Sequence, residues 1–138
     1  MRRDILVIID DSELDLAILN VIFKDIFRVK CLSNAKNGME FIIHNYKKIC
    51  AVLLDICLEE KGEGLSVLKE IKQLKEISKL PVFLMTTDAK KEYVVAGVQQ
   101  GAFDFLVKPV DPCSVQNRVC EKVRALWAER EKTLDKRD

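Results

Sequence analysis

Five short, nearly continuous apolar runs recur along the chain, at Ile5 to Ile9, Arg28 to Leu32, Cys50 to Leu54, Pro81 to Met85 and Phe103 to Val107, the second weaker than the others. A run that is apolar at successive positions would put greasy side chains on both faces of a sheet. It therefore suits a parallel strand covered by helices above and below. The segments between the runs have helical patterning, clearest where Leu14, Ala17, Ile18, Val21 and Ile22 fall on one side. Ser12 reads as the N-cap of that helix, with Asp15 three residues on, and Asn34 as the cap of a second. A third helix is predicted over Gly64 to Lys75; Gly101 ends a fourth, and Asp111 followed by Pro112 opens a fifth. Strand and helix alternate five times. That succession implies right-handed crossovers and a doubly wound open α/β sheet, in which functional groups collect beyond the carboxyl ends of the strands.

Composition narrows what such a fold can serve. At 138 residues and 49% hydrophobic content, one domain can bury a sufficient core without disulfides or a structural metal. A net charge of +1, from 23 basic and 22 acidic residues, provides no overall field for nucleic acid or an anionic membrane. The five cysteines, Cys31, Cys50, Cys57, Cys113 and Cys120, form no CxxC pair and read as buried thiols of a reducing cytoplasm. Neither a signal-peptide core nor a membrane-length apolar stretch is present, so a soluble, cytoplasmic protein is expected. The last helix completes an inward face with Val115, Val119, Val123 and Leu126, after which eight of the eleven residues from Ala128 to Asp138 are charged. Residues 1–126 are accordingly expected to form the domain. Residues 127–138 read either as a solvated helical extension or as a linker to an output domain absent from this chain, with Trp127 and Leu134 as dimer contacts in the second case.

At the strand ends the sequence offers Asp10 and Asp11 after the first run, Asp55 after the third, Thr86 after the fourth and Lys108 after the fifth. Three carboxylates in one crevice repel one another unless cations intervene, so the cluster calls for a metal and for the lysine. Oxygen ligands suit Mg²⁺, whose shell is often completed by phosphate oxygens, and phosphoryl chemistry is the natural use of such a set.

The segments "ILVIIDDSELD", "AVLLDICLEE", "LPVFLMTTDA" and "GAFDFLVKPV" resemble, in order, the signature segments of response-regulator receiver domains of the CheY-like superfamily. The resemblance covers roughly residues 4 to 125, and the spacings from Asp55 to Thr86 and from Thr86 to Lys108 are close to that family's. It implies a flavodoxin-like (βα)5 fold with strand order 2-1-3-4-5. By the same resemblance Asp55 is the phosphoacceptor nucleophile, and Mg²⁺ (or Mn²⁺) is held by Asp10, Asp11, Asp55 and the backbone carbonyl of Cys57. Lys108 offsets phosphoryl charge and precedes a cis bond to Pro109. Thr86 and Phe105 are the switch pair: the hydroxyl senses the phosphoryl group, and the aromatic exchanges between outward and buried positions on the face of the fourth helix, fifth strand and fifth helix. The implied partners are a sensor histidine kinase or phosphotransfer protein, with homodimerisation through that same face and no direct nucleic-acid or membrane contact. The implied role is that of a bacterial signalling protein rather than an enzyme, one that promotes its own phosphorylation and dephosphorylation.

Some positions depart from the family pattern. Glu59 stands where proline is usual, "EEKGEG" is about one residue longer, and Thr87 is bulkier than the common residue. Cys57 and Asp88 occupy places whose side chains influence attack by water on an acyl phosphate. His44, the single histidine, lies away from the strand ends, and Asn37-Gly38 falls early in a helix, where a tolerated glycine explains it better than a hairpin. The rival readings are a haloacid dehalogenase-like phosphatase with an aspartate nucleophile, a flavodoxin-like cofactor carrier, and a degenerate receiver that only binds protein. The first places its nucleophile in a DxDx[TV] segment after the first strand, whereas here the acidic pair comes first and "DICL" has no second aspartate. The second needs a phosphate loop of amides and hydroxyls where this chain has "DDSELD".

Overall fold

A computed structural model describes residues 3–58, 63–87 and 91–137, with the side chains of 91, 92 and 134–137 left aside. Five strands, β1 (Ile5–Ile9), β2 (Arg28–Leu32), β3 (Ile49–Asp55), β4 (Val82–Thr86) and β5 (Asp104–Val107), alternate with helices α1 (Glu13–Phe23), α2 (Ala35–Asn45), α3 (Glu63–Gln73), α4 (Lys91–Gln99) and α5 (Pro112–Arg137), and a single 3-10 turn at Tyr46–Lys48 leads into β3. The sheet is wholly parallel in the order β2-β1-β3-β4-β5, the flavodoxin-like arrangement.

Period-two alternation divides the strands between two cores. Val7 and Ile9 of β1, Val52 and Leu54 of β3 and Leu84 of β4 join Ile42 of α2 with Val67, Leu68 and Ile71 of α3. Leu6, Ile8, Leu53, Phe83 and Met85 join Leu19 and Phe23 of α1 with Val115, Val119 and Val123 of α5. The caps follow the sequence: Ser12 Oγ accepts from Asp15 N–H, Asn34 Oδ1 from Asn37 N–H, and Asp111 Oδ2 from Ser114 N–H. Gly101 ends α4 at φ +92°, a conformation that only glycine adopts without strain.

Two expectations need correction. Of the stripe Leu14, Ala17, Ile18, Val21 and Ile22, only Ile22 packs on the core: Leu14 is 70% exposed and Val21 63%, while Leu19 and Phe23 are buried with Leu16 and Ile22 beside them. The helix is apolar nearly all round, so two stripes satisfy the helical period, and the one carrying the bulky Phe23 ring fills the space over β1. Nor are all five thiols buried. Cys50 and Cys120 are, Cys31 and Cys57 are half-buried, and Cys113 is exposed, two residues before the buried Val115 and so on the opposite side of α5.

The packed part of α5 extends past Val123. Trp127 Nε1 donates to the Cys50 carbonyl at 2.9 Å, and the guanidinium carbons of Arg3 and Arg130 lie 4.3 and 4.6 Å from its ring centre. The indole, a dimer contact only in the linker reading of this segment, is engaged within its own chain; the side chain of Leu134 lies outside the described residues. Among the described residues no helix is long and apolar enough to cross a membrane.

Candidate functional site

Asp10 leaves the end of β1 and is anchored from both directions. Its backbone N–H donates to the Leu32 carbonyl at 3.1 Å, and its Oδ1 accepts from Ser12 N–H at 2.9 Å. That second bond folds the chain directly from strand into the Ser12 cap, and Asp11 is left exposed at the crevice mouth. Asp55 closes β3, with Oδ1 accepting from Cys57 N–H at 3.0 Å. The approach of α3 to this residue requires glycine: a Cβ on Gly64 would overlap the Asp55 carbonyl oxygen and lie 2.6 Å from Ile56 Cα. Thr86 is buried at the end of β4, and its carbonyl accepts Lys108 N–H at 2.8 Å. The Lys108–Pro109 bond is cis, as the resemblance implied.

The lysine side chain turns into the acidic cluster. Its ammonium lies 2.5 Å from Asp10 Oδ2, 2.9 Å from Asp15 Oδ2 and 3.2 Å from Asp55 Oδ2. Asp10 is fully buried, Asp55 nearly so, and the Lys108 side chain is 8% exposed. Burial pushes the Asp55 carboxyl up to about 6, with Lys108 pulling it down and Asp10 adding to the rise. Burial works against the Lys108 ammonium too, yet hydrogen bonds to Asp10 and Asp15 and the charge of Asp55 outweigh it, so the group is held above the ordinary lysine value.

One carboxylate oxygen from each of Asp10, Asp11 and Asp55 lies within 4.8 Å of the other two. An all-oxygen set of this density fits a small hard divalent ion and does not fit one that favours sulfur or imidazole. Asp10, Asp11, Asp55 and Lys108 therefore meet in one crevice, with Thr86 on the neighbouring strand end. Phe105 is half-buried on β5, its ring so close to α4 that a Cβ on Gly97 would come within 2.7 Å of it. His44 is exposed on α2, 2.7 Å from the Glu40 carbonyl. Thr87 is exposed, whereas Glu59 and Asp88 lie outside the described residues.

Asp15 is the member of the cluster that the sequence reading missed. Its place in the first turn of α1 is explained by the Ser12 cap, and nothing local signals a lysine 93 residues away.

Residues 6–120 match the family described as the response regulator receiver domain. The two-component response regulator ORR3 of Oryza sativa subsp. indica is 28% identical over 116 residues, covering 83% of this chain and 86% of the relative. ORR11 from the same rice subspecies is 30% identical over 108 residues, covering 78% and 72%. Among solved structures, the CheY-like receiver domain protein of Methanospirillum hungatei superposes with a TM-score of 0.79 at 22% identity, covering 91% of this chain and 98% of its own. A receiver protein of Pseudoalteromonas atlantica gives 0.77 at 19% identity, with coverages of 88% and 98%. With its sheet order, crevice and sequence all in agreement, the chain belongs to the response regulator receiver domain family.

Proposed function

We propose that this domain is a phosphorylation-controlled switch in which Asp55 takes a phosphoryl group from the phosphohistidine of a sensor kinase or phosphotransfer protein. The observation that carries the reading is the convergence of Asp55, Asp10, Asp11 and Lys108 at one sheet edge. An Asp55 carboxylate oxygen attacks phosphorus, the P–N bond breaks, and its electron pair returns to the donor imidazole, leaving an acyl phosphate. The transition state is loose, so the residues mainly align the groups and balance charge. Asp10, Asp11, Asp55 and the Cys57 carbonyl would hold Mg²⁺ or Mn²⁺, which when bound supplies positive charge to the phosphoryl oxygens. Lys108 brings a second, compact cation to the same oxygens.

Thr86 acts as sensor through its hydroxyl, and Phe105 relays the change to α4, β5 and α5. Exposed Val95, Val98 and Val107 give that face an apolar surface for homodimerisation or a partner. On the donor side, exposed Leu14, Ile18 and Val21 form an apolar stripe on the helix that starts at the crevice, suited to a helical phosphohistidine protein. Residues 1–126, with Trp127 packed against them, are the receiver unit in this reading, and the charged stretch that follows extends or links it to an output domain. The setting is cytoplasmic. Acting as a signal carrier, the domain undergoes transfer and loss of its own phosphoryl group rather than turning over a substrate.

Incubation with acetyl phosphate and Mg²⁺, followed by intact-mass measurement, tests the reading. One phosphoryl group is expected on the wild type and none on Asp55→Asn. Turnover of many phosphoesters without stable incorporation would instead favour the dehalogenase-like phosphatase.

A further inference from the structure

An ammonium has three N–H donors and no acceptor, and in this chain all three donors of Lys108 are directed at carboxylates. Two of those acceptors, Asp10 and Asp55, belong to the oxygen set able to hold a divalent ion; the third, Asp15, does not. Lysine and cation thus compete for the same two side chains. If an ion takes Asp10 and Asp55, a lysine only 8% exposed loses two partners, a change that is costly unless one acceptor stays behind. Asp15 is built to stay. It stands on the first turn of α1, its backbone fixed by the Ser12 cap, its carboxylate 2.9 Å from Nζ and partly open to water.

We propose that Asp15 is a positioning residue for Lys108, retaining the ammonium at the α1 wall of the crevice while a divalent ion occupies Asp10, Asp11 and Asp55. The inference rests on the reading of the crevice as a divalent-ion site. Because Asp15 gives the displaced ammonium somewhere to remain, it favours ion uptake without being a ligand. Its effect must therefore pass through Lys108, which separates it from the mere addition of negative charge.

The test is Mg²⁺ titration by calorimetry on the full chain, with the Lys108 ¹⁵N-ammonium signal followed by NMR. Asp15→Asn is expected to raise the apparent Kd for Mg²⁺ about fivefold, the equivalent of one weakened charge-assisted hydrogen bond. Asp15→Glu should recover most of the loss. In a Lys108→Ala background, where nothing remains to be positioned, Asp15→Asn should change the Kd by less than about twofold; Lys108→Gln serves instead if the alanine variant loses its far-UV spectrum. The ammonium signal should persist in Mg²⁺-saturated wild type and broaden in Asp15→Asn. Unchanged Mg²⁺ affinity in Asp15→Asn would overturn the inference alone, as would an equal loss with and without Lys108. Failure of the wild type to take up Mg²⁺ would remove the divalent-ion reading, and the inference with it.

Discussion

The ammonium of Lys108 stands 3.2 Å from Asp55 Oδ2, so a single ion pair joins the end of β3 to the turn after β5 across the intervening end of β4. In the proposed switch, that link makes the lysine the intermediary between phosphorylation of Asp55 and a change at α4. Lys108→Ala should keep the fold and still accept phosphoryl on Asp55 from acetyl phosphate, more slowly than the wild type. Phosphorylation should then no longer shift the amide resonance of Gly97 on α4. A normal shift in that variant would show that the signal reaches α4 by another route.

Gly64 offers a test of how tightly α3 is seated on the backbone of Asp55. A Cβ there meets the Asp55 carbonyl and Ile56 Cα, backbone atoms that cannot rotate aside. Gly64→Ala should cost about 2 kcal/mol or more in urea unfolding, the scale of an overpacked core, and should slow phosphorylation of Asp55 as well.

If the exposed stripe on α1 receives the phosphoryl donor, its removal should divide protein donors from small ones. Ile18→Asp with Val21→Asp is expected to lower the rate of transfer from a phosphorylated histidine phosphotransfer protein about tenfold or more, the effect of about 1.4 kcal/mol of lost docking energy. The rate with acetyl phosphate should be unchanged, and equal losses with both donors would place the defect in the crevice.

On the opposite edge, Asp104 joins β5 to α5 by a bidentate bond to Arg118, at 2.5 and 2.8 Å, and by Lys122 at 3.1 Å. Burial alone would raise its pKa, but the hydrogen bonds from Arg118, the Phe105 backbone and Lys122 outweigh it and hold the carboxyl at about 2, below the ordinary 3.8. A depressed carboxyl pKa stabilises the folded chain above the unfolded value, and that stabilisation is lost as pH falls through the folded one. Asp104→Asn should therefore lower stability at neutral pH by about 1 kcal/mol, a modest value because the basic partners are half exposed. The difference between variant and wild type should close as pH falls from about 4 to about 2.

The strands were legible because their chemistry is redundant. Leu6 and Ile8 face one core and Val7 and Ile9 the other, so a run apolar on both sides announces a covered parallel strand whatever its register. The helix starts at Ser12, Asn34 and Asp111 were legible because capping is local. The buried side of α1 was not. Leu14, Ile18 and Val21 keep helical spacing as well as Leu16, Leu19 and Phe23 do, and only the volume available over β1 decides between them. At the crevice, Asp10, Asp11, Asp55 and Lys108 could be found as strand-end residues, a rule that cannot reveal Asp15, which reaches the lysine from inside a helix.

Trp127 is the single tryptophan of the chain, and its indole hangs on the carbonyl of Cys50, at the start of the strand that ends in Asp55. Emission from the indole therefore surveys the floor of the domain, at the other end of β3 from Asp55. A red shift in that emission reads the peeling away of the final helix, an optical reporter that nature has already installed at the root of any outgoing connection.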